Sequence, residues 1–171
     1  MPFVENQGAK LYWDEQGSGE PLLLIMGLSY PSYMWHRSRT VFANSYRTIA
    51  LDNRGVGQSD VTPGIYSIAL MASDAAAVLH AAGVESAHVF GVSMGGMIAL
   101  EFALQYPSRV RSLILGCTAA AVPMPCRPNL PRCKLSCAVT SLLKNPRRPS
   151  SRSSMTLPPL ASASTRIWLS A

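Results

Sequence analysis

The chain has 171 residues, with 15 Lys+Arg against 9 Asp+Glu and a formal charge of +6. That length suits one domain with a sizeable core, and 48% apolar residues argue for a globular chain. No apolar run approaches the roughly 18 residues of a membrane span, the N-terminus MPFVENQGAK lacks a basic-then-apolar secretory layout, and collagen, coiled-coil and disulfide-scaffold classes are excluded.

The average charge conceals two unlike parts. Residues 1–120 hold seven Lys+Arg and all nine acids, whereas residues 121–171 hold eight Lys+Arg and no acid. All twelve glycines precede residue 117, while eight of the thirteen prolines follow residue 120.

In chain order, Pro2–Asn6 and Lys10–Glu15 predict an opening hairpin around Asn6–Gly8. Leu22–Met26 (LLLIM), closed by Gly27, has the continuous apolar character of a strand buried on both faces. Ser32–Ala43 is a weaker helix, and Tyr46–Leu51 a second buried strand. Ile68–Ala82 is an Ala-rich helix with Ile68, Met71, Ala75, Val78 and Leu79 on one face and a stop at Gly83. Strand Ala87–Val92 follows. The helix Met94–Tyr106 is apolar nearly all round apart from Glu101 and Gln105, so it should be largely buried before Pro107 ends it. Val110–Leu115 is a further strand.

Strands alternating with helices of this length give right-handed crossovers and a mostly parallel sheet covered on both sides, a three-layer α/β sandwich. Ligands bind such sheets beyond the carboxyl ends of the strands. The loops Gly27–Ser32, Asp52–Asp60 and Gly91–Gly95 fall at that edge.

Gly91-Val92-Ser93-Met94-Gly95 matches G-x-S-x-G between a predicted strand and a predicted helix, the context that gives the pattern its meaning. A serine on so sharp a turn has a strained backbone, and glycine on either side removes the Cβ clashes that would forbid the bend. The turn lifts the Ser93 hydroxyl above the sheet edge and aims the Met94 amide, at the positive end of the following helix, at the same point. The structural alternative is a serine N-cap beside a glycine turn.

On these residues the chain resembles the α/β-hydrolases, serine esterases and lactonases in particular, from about Phe3 to Cys117. The resemblance rests on Leu24-Ile25-Met26-Gly27-Leu28, on Asp52-Asn53-Arg54-Gly55-Val56-Gly57-Gln58-Ser59 and on Gly91–Gly96, and it looks closest to members described as enol-lactonase-like or aclacinomycin-methylesterase-like. It implies that the first loop supplies a second oxyanion donor. Met26 stands where the family often has histidine, and Leu28 takes the donor position through its backbone amide. Gly55-Val56-Gly57 lacks the third glycine of a phosphate cradle, Asp60 standing there instead. Under the resemblance this loop is a structural turn and Arg54 an internal anchor. Ser93 in place of an aspartate nucleophile implies acyl transfer on an ester, thioester or lactone. Met26, Leu28, Tyr30, Met34 and Trp35 are expected to form an apolar wall for the acyl group.

An alcohol nucleophile needs a base and that base an orienting acid, in this fold in the order Ser, Asp or Glu, His. After Ser93 the one acid is Glu101, on the same helix, and His36, His80 and His88 all precede the serine. The resembled chains continue into a helical cap and two more strands. The expectation is therefore the N-terminal part of an α/β-hydrolase fold over residues 1–118, with the C-terminal strands and cap missing.

Residues 119–171 read as a basic Ser/Pro/Arg-rich tail, disordered or out of frame after about residue 118. Moving the frame of Ser154–Ser170 by one base allows an acidic, helix-like string, and Met155-Thr156 forces an aspartate there whatever the codons. Cys126, Cys133 and Cys137 match no zinc ribbon and have no histidine beside them.

The sequence thus predicts a cytoplasmic serine hydrolase for a small ester or lactone. Ser93 is the nucleophile and the Leu28 and Met94 amides are the oxyanion donors. No metal or cofactor, specific nucleic acid or membrane contact is expected. With no histidine after Ser93, this chain is expected to be impaired. The alternative class is a catalytically dead fragment or binding module with a basic tail.

Overall fold

Gln7 (φ 44°) and Gly8 (φ 75°) both take positive φ, the requirement of the two-residue turn that joins antiparallel strands with the right twist. The turn closes the hairpin of β1 (Phe3–Asn6) and β2 (Ala9–Gln16) in the computed structural model, which describes residues 3–118 and, beyond them, only two short strands. The parallel core consists of β3 (Glu20–Ile25), β4 (Tyr46–Leu51), β5 (Ala87–Val92) and β6 (Val110–Gly116). Helices α1 (His36–Phe42), α2 (Ile68–Ala81) and α3 (Met94–Gln105) connect them. The two further strands are β7 (Ser154–Thr156) and β8 (Arg166–Ser170), and the order across the sheet is β1-β2-β4-β3-β5-β6-β8-β7.

Alternation along each strand sorts the core into two layers. Leu23, Ile25, Ile49, Leu51, Val89, Leu113 and Leu115 pack against α2 and α3 on one face, burying Val78, Leu79, Ile98 and Phe102. On the other face Leu22, Leu24 and Ala50 meet Trp35, with Phe42 and Phe90 packed alongside. This is the expected three-layer sandwich. The Gly83 stop has a physical basis: Gly83 takes φ 67°, its N–H donates to His80 O and the Val84 N–H to Leu79 O, the paired bonds of a left-handed helix cap.

Three details differ from the sequence pattern. The segment Ser32–Ala43 is a 3-10 turn, Ser32–Trp35, followed by the shorter α1, because Trp35 turns into the core. Strand β3 ends at Ile25 rather than Met26, whose carbonyl accepts from Asn53 Nδ2 at 2.9 Å. Beyond β6, β8 pairs with it in parallel and β7 pairs antiparallel with β8, in a region where no strand was predicted. The β8 segment RIWLS has β-forming composition, and the outer edge of β6 offers it unpaired backbone groups. Cys126, Cys133 and Cys137 lie outside the described residues, as do residues 157–165 of the segment on which the frame-slip reading rests.

The registers align the strand ends that matter. Ile25 lies opposite both Leu51 and Gly91, and Gly91 lies opposite Leu115. The loops leaving β3, β4, β5 and β6 therefore emerge at one edge of the sheet.

Arg54, after β4, reaches back into the core to form a two-pronged pair with Asp74 of α2, at 2.7 Å and 3.0 Å, both side chains at most 2% exposed. Asn6 Nδ2 donates to the same carboxylate, and Arg54 also donates to the Asn6 carbonyl, so hairpin, loop and helix share one polar node. The Arg54 pKa is raised, chiefly by its hydrogen bonding to Asp74, with burial acting in the opposite sense. Arg54 is thus the expected internal anchor. Removing one partner strands a buried charge: Asp74→Ala should cost about 3–5 kcal/mol in urea unfolding, and the double change Arg54→Met with Asp74→Leu should recover most of that loss.

Candidate active site

Ser93 stands between β5 and α3 with φ 55° and ψ −122°, a conformation that side-chain-bearing residues rarely adopt. Its backbone is held from both sides. The Ser93 N–H donates to Gly116 O at 2.9 Å, extending the β5–β6 ladder by one residue. Its carbonyl accepts from Gly96 N–H at 2.9 Å and from the Thr118 hydroxyl at 2.7 Å. The side chain makes no cap bond to the helix and is exposed. The hydroxyl is therefore displayed rather than used structurally.

The flanking glycines explain how the bend closes. A Cβ at Gly91 would overlap the Gly95 carbonyl and lie 2.7 Å from Gly96 N. A Cβ at Gly95 would overlap the Ile25 carbonyl and lie 2.7 Å from Met26 O, so this glycine also lets α3 approach β3. At Gly96 it would lie 2.6 Å from the Thr118 side chain.

The β3 loop comes to the same place. A Cβ on Gly27 would sit 3.2 Å from Ser93 Cβ and 3.7 Å from its Oγ. Gly27 O accepts from Tyr30 N–H at 3.4 Å, closing a turn in which Ser29 takes φ 64°. Among the described residues, neither the Leu28 nor the Met94 amide has an acceptor within the chain. Met94 is the first residue of α3, where unpaired N–H groups and the helix dipole favour negative charge. The four non-glycine residues of positive φ among the described residues are Gln7, Ser29, Ser93 and Cys117. Three of them stand at the carboxyl ends of β3, β5 and β6, so backbone strain is concentrated at this edge.

Of the residues expected to line the acyl wall, Leu28, Tyr30 and Met34 are exposed at the rim, by 66%, 55% and 39%. Met26 is half-buried against the Leu22–Trp35 cluster. Trp35 lies in the core instead, 4% exposed with its ring 5.0 Å from Phe90. Its apolar bulk is spent beneath the sheet face rather than at the mouth.

The histidines lie elsewhere. His88 is at the start of β5, the opposite edge, its Nδ1 2.7 Å from the Ser112 hydroxyl and its Nε2 3.3 Å from Glu20. His80 is exposed in the last turn of α2, and His36 opens α1 with Nδ1 3.2 Å from Tyr33 O. Glu101 accepts from Gln105 on its own helix. None of these bonds joins a histidine to Ser93. Among the described residues, no group of three or more His, Cys, Asp or Glu could hold a metal ion, and no helix is long and apolar enough to cross a membrane.

Sequence patterning missed the grip of the β4 loop on this edge. The Asp52 carboxylate accepts from Ser32 N–H at 2.6 Å and from Gln58 N–H at 2.9 Å, while Asn53 holds Met26 O. A signal was present in Gly57: it takes φ 59°, and a Cβ there would overlap the Asp52 carboxylate.

Backbone strain at Ser93 makes a stability prediction. Ser93→Gly should raise stability by about 1 kcal/mol, read as a higher urea midpoint, because glycine adopts this φ and ψ without penalty. Gly91→Ala should instead prevent the elbow from closing and lower the midpoint by more than that gain.

A family model described as the alpha/beta hydrolase fold matches residues 20–131. RutD of Azorhizobium caulinodans, whose name proposes a carbamate hydrolase, is 42% identical over 115 residues, 67% of this chain and 43% of that protein. Two solved structures superpose with TM-scores of 0.67. One, Est816, titled an N-acyl homoserine lactone degrading enzyme, is 37% identical and covers 69% of this chain and 46% of its own. The other, a thermophilic esterase from Thermogutta terrifontis, is 33% identical and covers 72% of this chain and 47% of its own. The chain spans less than half the length of each of these relatives. With the parallel sheet, the strained serine turn and the matched family model in agreement, the chain belongs to the α/β-hydrolase fold family.

Proposed function

We propose that residues 1–118 carry the nucleophile half of a serine hydrolase acting on a small carboxylic ester or lactone. The observation that carries this reading is the exposed, strained Ser93, on a glycine-flanked turn beside two amides that have no acceptor among the described residues. Ser93 Oγ attacks the substrate carbonyl carbon and loses its proton to a base. The carbonyl oxygen becomes an oxyanion received by the Leu28 and Met94 amides, with the α3 dipole adding to the attraction. The tetrahedral species collapses, expelling the alkoxide and leaving an acyl-serine, which water hydrolyses in a second step. In a lactone the leaving alkoxide stays attached to the acyl group. Leu28, Tyr30, Met34 and the half-buried Met26 supply apolar surface for the acyl chain. The relatives titled as an esterase and a lactone-degrading enzyme favour this substrate class.

The base is the weak link. All three histidines precede Ser93 in the chain, and His36 is tied to Tyr33 and His88 to Ser112 and Glu20. Loss of the triad base costs on the order of a millionfold in turnover, while oxyanion hole and binding retain roughly a thousandfold over water. The 171-residue chain should therefore turn over a short-chain fluorogenic ester at close to that residual level. Ser93-dependent turnover at ordinary esterase rates would contradict the impairment. A fluorophosphonate should label Ser93 slowly at neutral pH and faster with added imidazole, which supplies the absent base. Ser93→Ala should abolish the labelling, and silence of the parent chain even with imidazole would favour an inert binding module.

A further inference from the structure

The loop that carries the Leu28 amide is gripped at both ends by two consecutive residues of another loop. Asn53 Nδ2 donates to Met26 O at 2.9 Å, immediately before Gly27, and the Asp52 carboxylate accepts the Ser32 N–H at 2.6 Å, just after Pro31. Both side chains are 2% exposed. Neither touches the proposed reacting atoms. Resting on the functional reading above, we infer that Asp52 and Asn53 are positioning residues that set the direction of the Leu28 N–H.

The geometry runs through peptide planes. A trans peptide holds its C=O and N–H antiparallel, so fixing one fixes the other. Asn53 fixes the Met26 carbonyl and hence the plane of the Met26–Gly27 peptide. Gly27 O is engaged inside the turn by Tyr30 N–H, so the Leu28 N–H on the same peptide points out of the turn. Gly27 itself lies against the Ser93 side chain. A rotation of the Met26 peptide would therefore be passed, within one residue, to the amide beside the nucleophile.

Asp52 is itself immobilised. Its second oxygen accepts from Gln58 N–H at 2.9 Å, its carbonyl accepts from the Ser59 hydroxyl at 2.6 Å, and its N–H donates to Tyr12 O. Gly57 packs flat on the carboxylate, where a side chain would not fit. The Asp52–Ser59 turn thus transmits the rigidity of the β2–β4 ladder to the β3 loop. The same carboxylate cannot be replaced by a shorter or uncharged group without freeing one of its two amide donors.

The test reads the fluorophosphonate inactivation of the 171-residue chain in imidazole buffer, separating the saturation constant from the limiting rate. Asn53→Asp keeps size and loses the donor. Ser32→Pro removes the N–H given to Asp52, together with the Ser32 hydroxyl, at a position where Pro31 (ψ 164°) already has the conformation that precedes proline. Ser67→Ala is the control: it removes the side-chain cap of α2 and so lowers stability, without touching the β3 or β4 loop. Asn53→Asp and Ser32→Pro should each lower the limiting rate about tenfold or more, bounded by the roughly 100- to 1000-fold lost when an oxyanion donor is removed outright. The saturation constant should hold, and Ser67→Ala should keep the parent rate despite its loss of thermal stability. Parent-like limiting rates in the two variants, or an equal fall in Ser67→Ala, overturn the inference while leaving Ser93 as nucleophile. If the parent chain itself stays unlabelled, the functional reading fails and this inference fails with it.

Discussion

Everything at the candidate site depends on one steric fact: no side chain stands at Gly91 or Gly95. With those two Cβ positions empty, β5 can pass into α3 through a single residue at φ 55° and ψ −122°. The backbone of that residue is bonded to β6 and to the first turn of α3, which leaves its side chain outside the packing. Strain of about 1–3 kcal/mol at one residue is sustained by burial along β3, β5, α2 and α3, where Leu23, Ile25, Val89, Ile98 and Phe102 are fully buried. Fold stability and reactive geometry are therefore coupled through two glycines.

The same edge gathers the other elements of a reaction centre. The β3 loop lies against Ser93 through Gly27, and the Asp52-Asn53 pair holds that loop from the side of β4. The buried Arg54–Asp74 pair then ties the β4 loop to α2 and to the opening hairpin. Rigidity is thus passed from the core to the rim by polar contacts that replace water for every buried group they join. Beyond this framework the rim is apolar among the described residues, with Leu28, Tyr30 and Met34 exposed. An apolar rim beside the proposed oxyanion site suits an acyl group, and it sets few limits on which one.

Much of this was legible in the chain, for identifiable reasons. Buried parallel strands are near-continuous apolar runs, so Leu22–Met26, Tyr46–Leu51 and Ala87–Val92 declared themselves, and Gly83 and Pro107 marked where α2 and α3 stop. Ser93 was legible because G-x-S-x-G has a steric cause that strand–turn–helix context makes specific. Other features were hidden because they depend on tertiary partners. Trp35 has the composition of a pocket wall, but the 3-10 turn that precedes α1 carries it into the core beside Phe90. Asp74 sits on the apolar face of α2, where only the arrival of Arg54, twenty residues earlier in sequence, makes a buried acid tolerable. Asp52 and Asn53 look like ordinary turn residues until the β3 loop is placed against them. The strands β7 and β8 were hidden because short segments pair according to the edge they meet more than their own pattern.

The most direct measurement is a crystal structure of the chain after phosphonylation by a fluorophosphonate. The account predicts phosphorus bonded to Ser93 Oγ and the phosphonyl oxygen about 2.7–3.1 Å from both the Leu28 and the Met94 nitrogen, with Met26 O still held by Asn53. An adduct whose oxygen turns to solvent, or meets only one of those amides, would contradict it.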